Sequence, residues 1–350
     1  MPHFVQKKLE KLKVEVVNSI LDQPSLVASL AEAGTAAQSD FTKNLRKMAE
    51  YYFNHSGKLL RPTVSLLMAY ACNQLKTKDT STVNCEVEEV NLNQYVIAVV
   101  SEMIHTASLV HDDVIDESVV RRNSPTVNAL WGNKMAVLVG DFILARATQL
   151  LCSIGRPNVI SVMALIIEDL VKGEFMQMTS GGNKSSAEHF KEYMTKTYFK
   201  TASLFANSCK SAAMLADITK KYEHTAYEYG RSLGTAFQLV DDMLDFVSTL
   251  SVLGKPTAHD LKSGLATAPV LFAAEECPEL ERLISRRFSE DGDVEKAWTV
   301  VVNSRGVEKT RSLAKEHVQR AADLASQFPN GEGVRDRLVD LAVAQLERQK

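Results

Sequence analysis

The sequence predicts an all-α protein, and three observations carry that reading. Apolar residues recur at helical spacing along stretches too long for strands, such as Val90–His111, Asn133–Ile154 and Val159–Met178. No alternation of strand and helix text appears, nor any run of Asn-Gly or Asp-Gly hairpin signals. Only 7% of the 350 residues are aromatic, while helix formers such as Leu, Ala, Lys and Glu are plentiful.

The elements follow in order. Phe4, Leu9, Leu12, Val16, Val17, Ile20 and Leu21 mark a first amphipathic helix within an N-terminal helical segment over 1–40. Breaks are expected at Asn54–Pro62, Lys76–Asn84, Glu117–Pro125, Ser153–Asn158, Thr179–Ser186, Ser251–Gly264, Ser289–Asp293 and Pro329–Gly333. A helix over Thr63–Leu75 follows the first of them. The motifs described below occupy about 54–273, and helices fill 274–350. The expectation is a single domain over 1–350: a large bundle around a central cavity.

Composition narrows the function. The net charge of −3 supplies no field to attract nucleic acid, so an anionic ligand needs local basic groups. Cys72, Cys85, Cys152, Cys209 and Cys277 are scattered and form no CxxC pair, which argues against zinc or a disulfide framework and for a reducing compartment. No unbroken apolar run reaches the roughly 18 residues of a membrane span, so no transmembrane segment is expected. The N-terminus lacks a secretory apolar core, and Glu10, Glu15 and Asp22 disfavour a typical transit peptide, so an intracellular protein without a clear targeting signal is expected.

Two pentads carry the chemistry: Asp112-Asp113-Val114-Ile115-Asp116 and Asp241-Asp242-Met243-Leu244-Asp245. Each reads DDxxD and each follows apolar helical text. On a helix, residues i and i+4 share a face, so Asp112 points with Asp116 and Asp241 with Asp245. Crowded carboxylates repel and lose hydration, which bound cations relieve. Mg²⁺ suits them, because it is commonly held by a few carboxylates plus substrate phosphates. One such pentad alone is most often a solvated acidic face; two in matching settings point to facing clusters that grip a diphosphate. His111-Asp112 also forms an HD dipeptide, as in some phosphohydrolases, but that reading leaves the second pentad idle.

Basic groups accompany the pentads. Lys58 and Arg61 sit in GKLLRP beside a glycine turn and a helix start, a setting suited to diphosphate. Arg121 and Arg122 follow the first pentad closely. Lys200 and Thr201 offer an ammonium next to a hydroxyl. Gln238 lies one turn before Asp241, and Lys255, Asp260 and Lys262 follow the second pentad in a loop placed to act as a lid.

In this order the segments GKLLRP, HTASLVHDDVIDESVVRRN, GDFILARA, GEFMQM, KTASLF, FQLVDDMLD and GKPTAHDLKSGLAT resemble the trans-isoprenyl diphosphate synthases, with the motif text nearest the long-chain solanesyl and decaprenyl type of ubiquinone biosynthesis. The resemblance implies the isoprenoid-synthase fold and Mg²⁺-dependent, head-to-tail condensation of isopentenyl diphosphate onto an allylic diphosphate, farnesyl or geranylgeranyl diphosphate. It implies three Mg²⁺ per site, with Mn²⁺ able to substitute. Asp112, Asp116 and Asp241 are then metal ligands, supported by Asp113, Asp242 and Asp245. Arg121, Lys200 and Lys255 bind the allylic diphosphate; Lys58, Arg61, His105 and Arg122 bind isopentenyl diphosphate; Thr201 and Gln238 face the developing cation. A homodimer is implied, with a heteromer containing a second synthase-like subunit as the alternative, and a mitochondrial location by analogy of pathway. Where the family often carries a lysine five residues past the lid aspartate, this chain has Leu265, with Lys262 nearby.

Product length is expected to depend on Ala107 and Ser108, about 6–8 Å up the helix from Asp112 at 1.5 Å per residue. Both are small where short-chain members carry a bulky aromatic, which implies a product of about eight to ten isoprene units (about C40–C50). The competing readings are a shorter-chain, geranylgeranyl-type synthase, a terpene cyclase on the same fold, and a non-catalytic partner subunit. The second pentad lacks the cyclase pattern NDxxSxxxE, and all six aspartates argue for activity.

Overall fold

The computed structural model describes residues 5–12, 44, 47–48, 50–51, 57, 59–76, 89–179, 182, 184–250 and 258–348. Lys58, Lys255 and the first helix beyond residue 12 lie outside the described residues. The chain divides into two compact units, one of Met1–Val162 with Met214–Asp217 and one of Met163–Ala213 with Ile218–Lys350.

The first unit is built on α1 (Leu60–Lys76) and α2 (Leu92–Ile115). Every residue from Gln94 to Ile104 is buried, so this stretch of α2 is enclosed on all sides at the unit's centre. Its N-terminus is closed by a capping box between Asn91 and Gln94. Gln94 also exchanges two 2.9 Å hydrogen bonds with Asn73 of α1, which satisfies two amides that burial would otherwise penalise. The α1 helix starts at Leu60 rather than at the expected Thr63. Pro62 is tolerated because a first-turn N–H has no intrahelical acceptor.

The break expected over Glu117–Pro125 is a small antiparallel hairpin, β1 (Val120–Arg121) and β2 (Ser124–Pro125), paired Val120 to Pro125 and Arg121 to Ser124. Arg122 and Asn123 turn it with φ of 51° and 62°, a left-handed pair that usually calls for Asn or Gly. The sequence therefore lacked the usual hairpin signature. The short α3 (Val127–Trp131) leads into α4 (Asn133–Cys152).

The α4 helix packs on α2 through Ala136, Val139, Gly140, Ile143, Ala147 and Leu151. A Cβ on Gly140 would lie 2.1 Å from His111 Nε2, so only glycine permits this approach. Among the described residues α4 alone is long and apolar enough, by length and composition, to cross a membrane, although Lys134, Asp141 and Arg146 interrupt its apolar run. Core helices share this length and composition.

The second unit contains most of α5 (Pro157–Thr179), then α6 (Ser186–Thr197), a π-helical turn (Tyr198–Ala202), α7 (Ser203–Met214) and the 31-residue α8 (Lys220–Leu250). Shorter helices follow: α9 (His259–Lys262), α10 (Ala268–Ala274), α11 (Glu279–Ser285) and α12 (Asp293–Asn303). The unit ends with α13 (Gly306–Ala325) and α14 (Val334–Val343). The α8 helix packs along α13, and its lower half joins a core that includes Leu239, Val240, Met243 and Phe246. Gly234 lets α8 meet the π turn closely, because a Cβ there would stand 2.7 Å from Ala202 Cα.

Candidate active site

The first pentad occupies the last turn of α2. Asp112 to Ile115 are helical, and Asp116 caps the end with its N–H on Asp112 O. Asp112 is partly exposed and Asp116 exposed, whereas Asp113 is only 1% exposed. Arg121 Nε donates to Asp113 Oδ1 at 2.7 Å, which compensates the buried carboxylate. Asn128 donates to the carbonyls of Asp113 and Ser118, and Thr126 donates to Ser118 O. These bonds lock the hairpin beside the pentad. His111 Nε2 lies 3.2 Å from Val137 O and 3.6 Å from Asp141, so this ring serves the contact with α4.

Four of the basic groups converge near the pentad. His105, about two turns up α2 from Asp112, is held neutral well below the usual histidine range, first by desolvation and then by Arg61, Arg122 and Arg121. The Arg122 guanidinium lies against Gly57, where a Cβ would be 2.9 Å from Nη2. A neutral imidazole among three guanidiniums can donate a hydrogen bond without adding charge, in a place already positive enough to hold a diphosphate. Ala107 is fully buried. Ser108 is half-buried, with its hydroxyl donating to His105 O at 2.8 Å.

The second pentad repeats this pattern inside α8. Asp241 is exposed, Asp242 is 3% exposed and Asp245 half-buried. Asp242 accepts from Gln238 Nε2 at 2.7 Å and from Tyr193 OH at 2.6 Å, and Thr201 donates to Gln238 Oε1 at 2.7 Å. The result is a relay from the π turn through Gln238 to a buried carboxylate. Burial pushes Asp242 up to about 6, against the opposing pull of these bonds and of Lys196. Asp260, crowded by burial and then by Asp242 and Asp245, is pushed up to about 8. Asp245 accepts the N–H groups of His259 and Asp260 at 3.1 Å each, which ties α9 to α8. Leu265 N donates to Asp260 O, and its side chain is half-buried, so the position of the family lysine is taken by an apolar group.

Lys200 Nζ donates to Glu174 Oε2 at 2.5 Å and to Gln177 Oε1 at 3.1 Å, with both charged side chains largely buried. Arg348 Nη2 donates to Asp241 Oδ1 at 3.0 Å. Sequence reasoning had not singled out Glu174, Gln177, Tyr193, Lys196 or Arg348. Glu174 and Gln177 stood in GEFMQM, three apart on one face of α5; Arg348 carried no local signal.

The donor set suits Mg²⁺. Among the described residues no three His, Cys, Asp or Glu side chains converge as a preformed cage. Mg²⁺ needs none, since one or two carboxylates with water and substrate phosphate complete its shell. The surface-reaching Asp112, Asp116 and Asp241 can supply such oxygens, and Asp113 and Asp242 cannot while buried and bonded.

Asp242 also sets a pH dependence. It keeps its proton to about 6 when folded, against an ordinary 3.8. Its contribution to stability is therefore complete at low pH and is lost as pH rises from about 4 through about 6. In metal-free protein the melting temperature of Asp242→Asn, relative to the native chain, should rise across that window; a difference that ignores pH would contradict the assignment.

The polyprenyl synthetase family model matches residues 42–301. The chain belongs to this family. The all trans-polyprenyl-diphosphate synthase of Mus musculus is 46% identical over 310 residues, covering 88% of this chain and 73% of that protein. The mitochondrial solanesyl-diphosphate synthase 1 of Oryza sativa subsp. japonica is 40% identical over 340 residues, covering 95% and 78%. Among solved structures, the polyprenyl synthase of Caulobacter crescentus CB15 complexed with calcium and isoprenyl diphosphate superposes with a TM-score of 0.77 at 27% identity, over 99% of this chain and 96% of that one. This polyprenyl synthetase is thus a prenyltransferase with the all-α isoprenoid-synthase fold.

Proposed function

We propose that this polyprenyl synthetase condenses isopentenyl diphosphate head-to-tail onto farnesyl or geranylgeranyl diphosphate, repeating until the all-trans product reaches about C40–C50 and serves as a ubiquinone side chain. The observation that carries the reading is the shared pattern of the pentads: each keeps its first aspartate accessible and buries its second in hydrogen bonds. The long-chain relatives and the small Ala107 and Ser108 support the product length.

Asp112, Asp116 and Asp241 are assigned to hold three Mg²⁺, with Mn²⁺ able to substitute, and the sequence resemblance assigns both pentads to one diphosphate. Bound Mg²⁺ supplies positive charge where the leaving diphosphate becomes more negative. Arg121, Lys200 and Lys255 bind the allylic diphosphate; Lys58, Arg61, Arg122 and neutral His105 bind isopentenyl diphosphate. The allylic C–O bond breaks, and the isopentenyl double bond attacks the resulting cation, favoured by proximity. A proton then leaves to the departing pyrophosphate, so no protein base is needed. The Thr201 and Gln238 oxygens face the developing cation, oriented by Asp242. The whole chain is assigned to one catalytic domain acting as a homodimer, or with a second synthase-like subunit, in the mitochondrion.

Incubation with labelled isopentenyl diphosphate, an allylic primer and Mg²⁺ tests this. Elongated prenyl diphosphates of about eight to ten units are expected. Hydrocarbons would point to a cyclase and absence of turnover to a non-catalytic subunit. A finer test concerns Lys200. Hydrogen bonds to charged groups are worth about 1.5–3 kcal/mol, so Glu174→Ala should raise KM for the allylic primer by at least about tenfold by freeing the ammonium. An unchanged KM would remove Glu174 from that role.

A further inference from the structure

We propose that Arg348 is a resident counter-cation at the second pentad: it occupies Asp241 in the metal-free protein, and a divalent cation binds there by displacing it. The proposal rests on the reading of Asp241 as a metal ligand.

The seat for this guanidinium has two points of attachment. Arg348 Nη2 donates to Asp241 Oδ1 at 3.0 Å, and the guanidinium carbon lies 4.1 Å from the centroid of the Phe237 ring. Phe237 and Asp241 are four residues apart on α8 and so share a face, one offering a π surface and the other a carboxylate. The Arg348 side chain is 18% exposed against 52% for Asp241, so the arginine is packed while the carboxylate still reaches solvent.

The last turn is anchored in a way that delivers the arginine. Tyr229 OH of α8 donates to Leu338 O of α14. Beyond α14, Ala344, Gln345, Leu346 and Arg348 continue the chain in backbone hydrogen bonds. Buried Gln345 donates to Leu341 O, and Leu346 packs on the core cluster that contains Leu239, Val240 and Met243. A dication held by the Asp241 carboxylate would share it with the guanidinium, which donates to Oδ1 at 3.0 Å, and like charges sharing one carboxylate repel. Arg348 and the metal therefore exclude one another, and loading of Asp241 releases the C-terminal turn.

The test is a titration of Mn²⁺, followed by its EPR signal, into the full-length substrate-free protein. A partly exposed ion pair with a cation–π contact is worth about a three- to tenfold change in affinity. Arg348→Gln should bind Mn²⁺ tighter by that factor, and Arg348→Lys should stay within about twofold of the native chain. Hydrogen exchange of the residue 344–348 amides should quicken on adding Mn²⁺. Equal or weaker binding by Arg348→Gln, with Asp241→Asn still losing Mn²⁺, overturns the displacement while leaving Asp241 a ligand. No effect of Asp241→Asn in either background overturns both.

Discussion

Asp112→Asn should lower kcat by at least about a hundredfold while the melting temperature stays within a degree or two, since loss of a metal-binding charge costs several kcal/mol of transition-state stabilisation. Asparagine matches aspartate in shape, and Asp112 is partly exposed at the end of α2, so the fold has little reason to respond. The contrast with its neighbour makes the test specific. Asp113 is buried and accepts from Arg121 at 2.7 Å, so Asp113→Asn should cost about 1.5–3 kcal/mol of stability by weakening a charge-assisted bond. It should also loosen Arg121 and the hairpin, and raise KM for the allylic primer. Thermal melts and steady-state kinetics on the two variants separate the roles. A loss of activity below tenfold in Asp112→Asn would contradict its place as a ligand.

Ser108→Phe should shorten the product by several isoprene units, read by chromatography of the dephosphorylated chains. Side-chain volume decides the outcome. Ser108 stands one turn above Asp112 and is half-buried, so a benzyl group there can extend into the path assigned to the growing tail. Ala107 differs, although it lies beside Ser108 on the same turn. It is 0% exposed, and close-packed interiors do not absorb added atoms without strain. Ala107→Phe should therefore shorten the product and also destabilise the protein by about 1–3 kcal/mol. Unchanged product length in both variants would move the wall of the hydrocarbon channel elsewhere.

The helix over Val90–His111 was evident from its apolar text, and so was the helical setting of both pentads, because i to i+4 geometry is local. The hairpin after the first pentad was not, because Arg122 and Asn123 adopt left-handed φ without the glycine that usually announces such a turn. The π turn carrying Lys200 and Thr201 was likewise hidden, since no local signal marks a π turn, although α8 meets it closely at Gly234.

What the sequence determined by itself was the helical class, the two carboxylate pentads, the order of basic motifs around them and the family these imply. Only the tertiary structure decided which aspartate of each pair lies accessible and which is buried in hydrogen bonds. It also decided that Tyr193 and Gln238 hold Asp242, that Glu174 holds Lys200, and that Arg348 rests on Asp241. The reason is the range of the forces involved. Helix periodicity is set within a turn or two, whereas burial and ion pairing depend on groups brought together from distant stretches of chain.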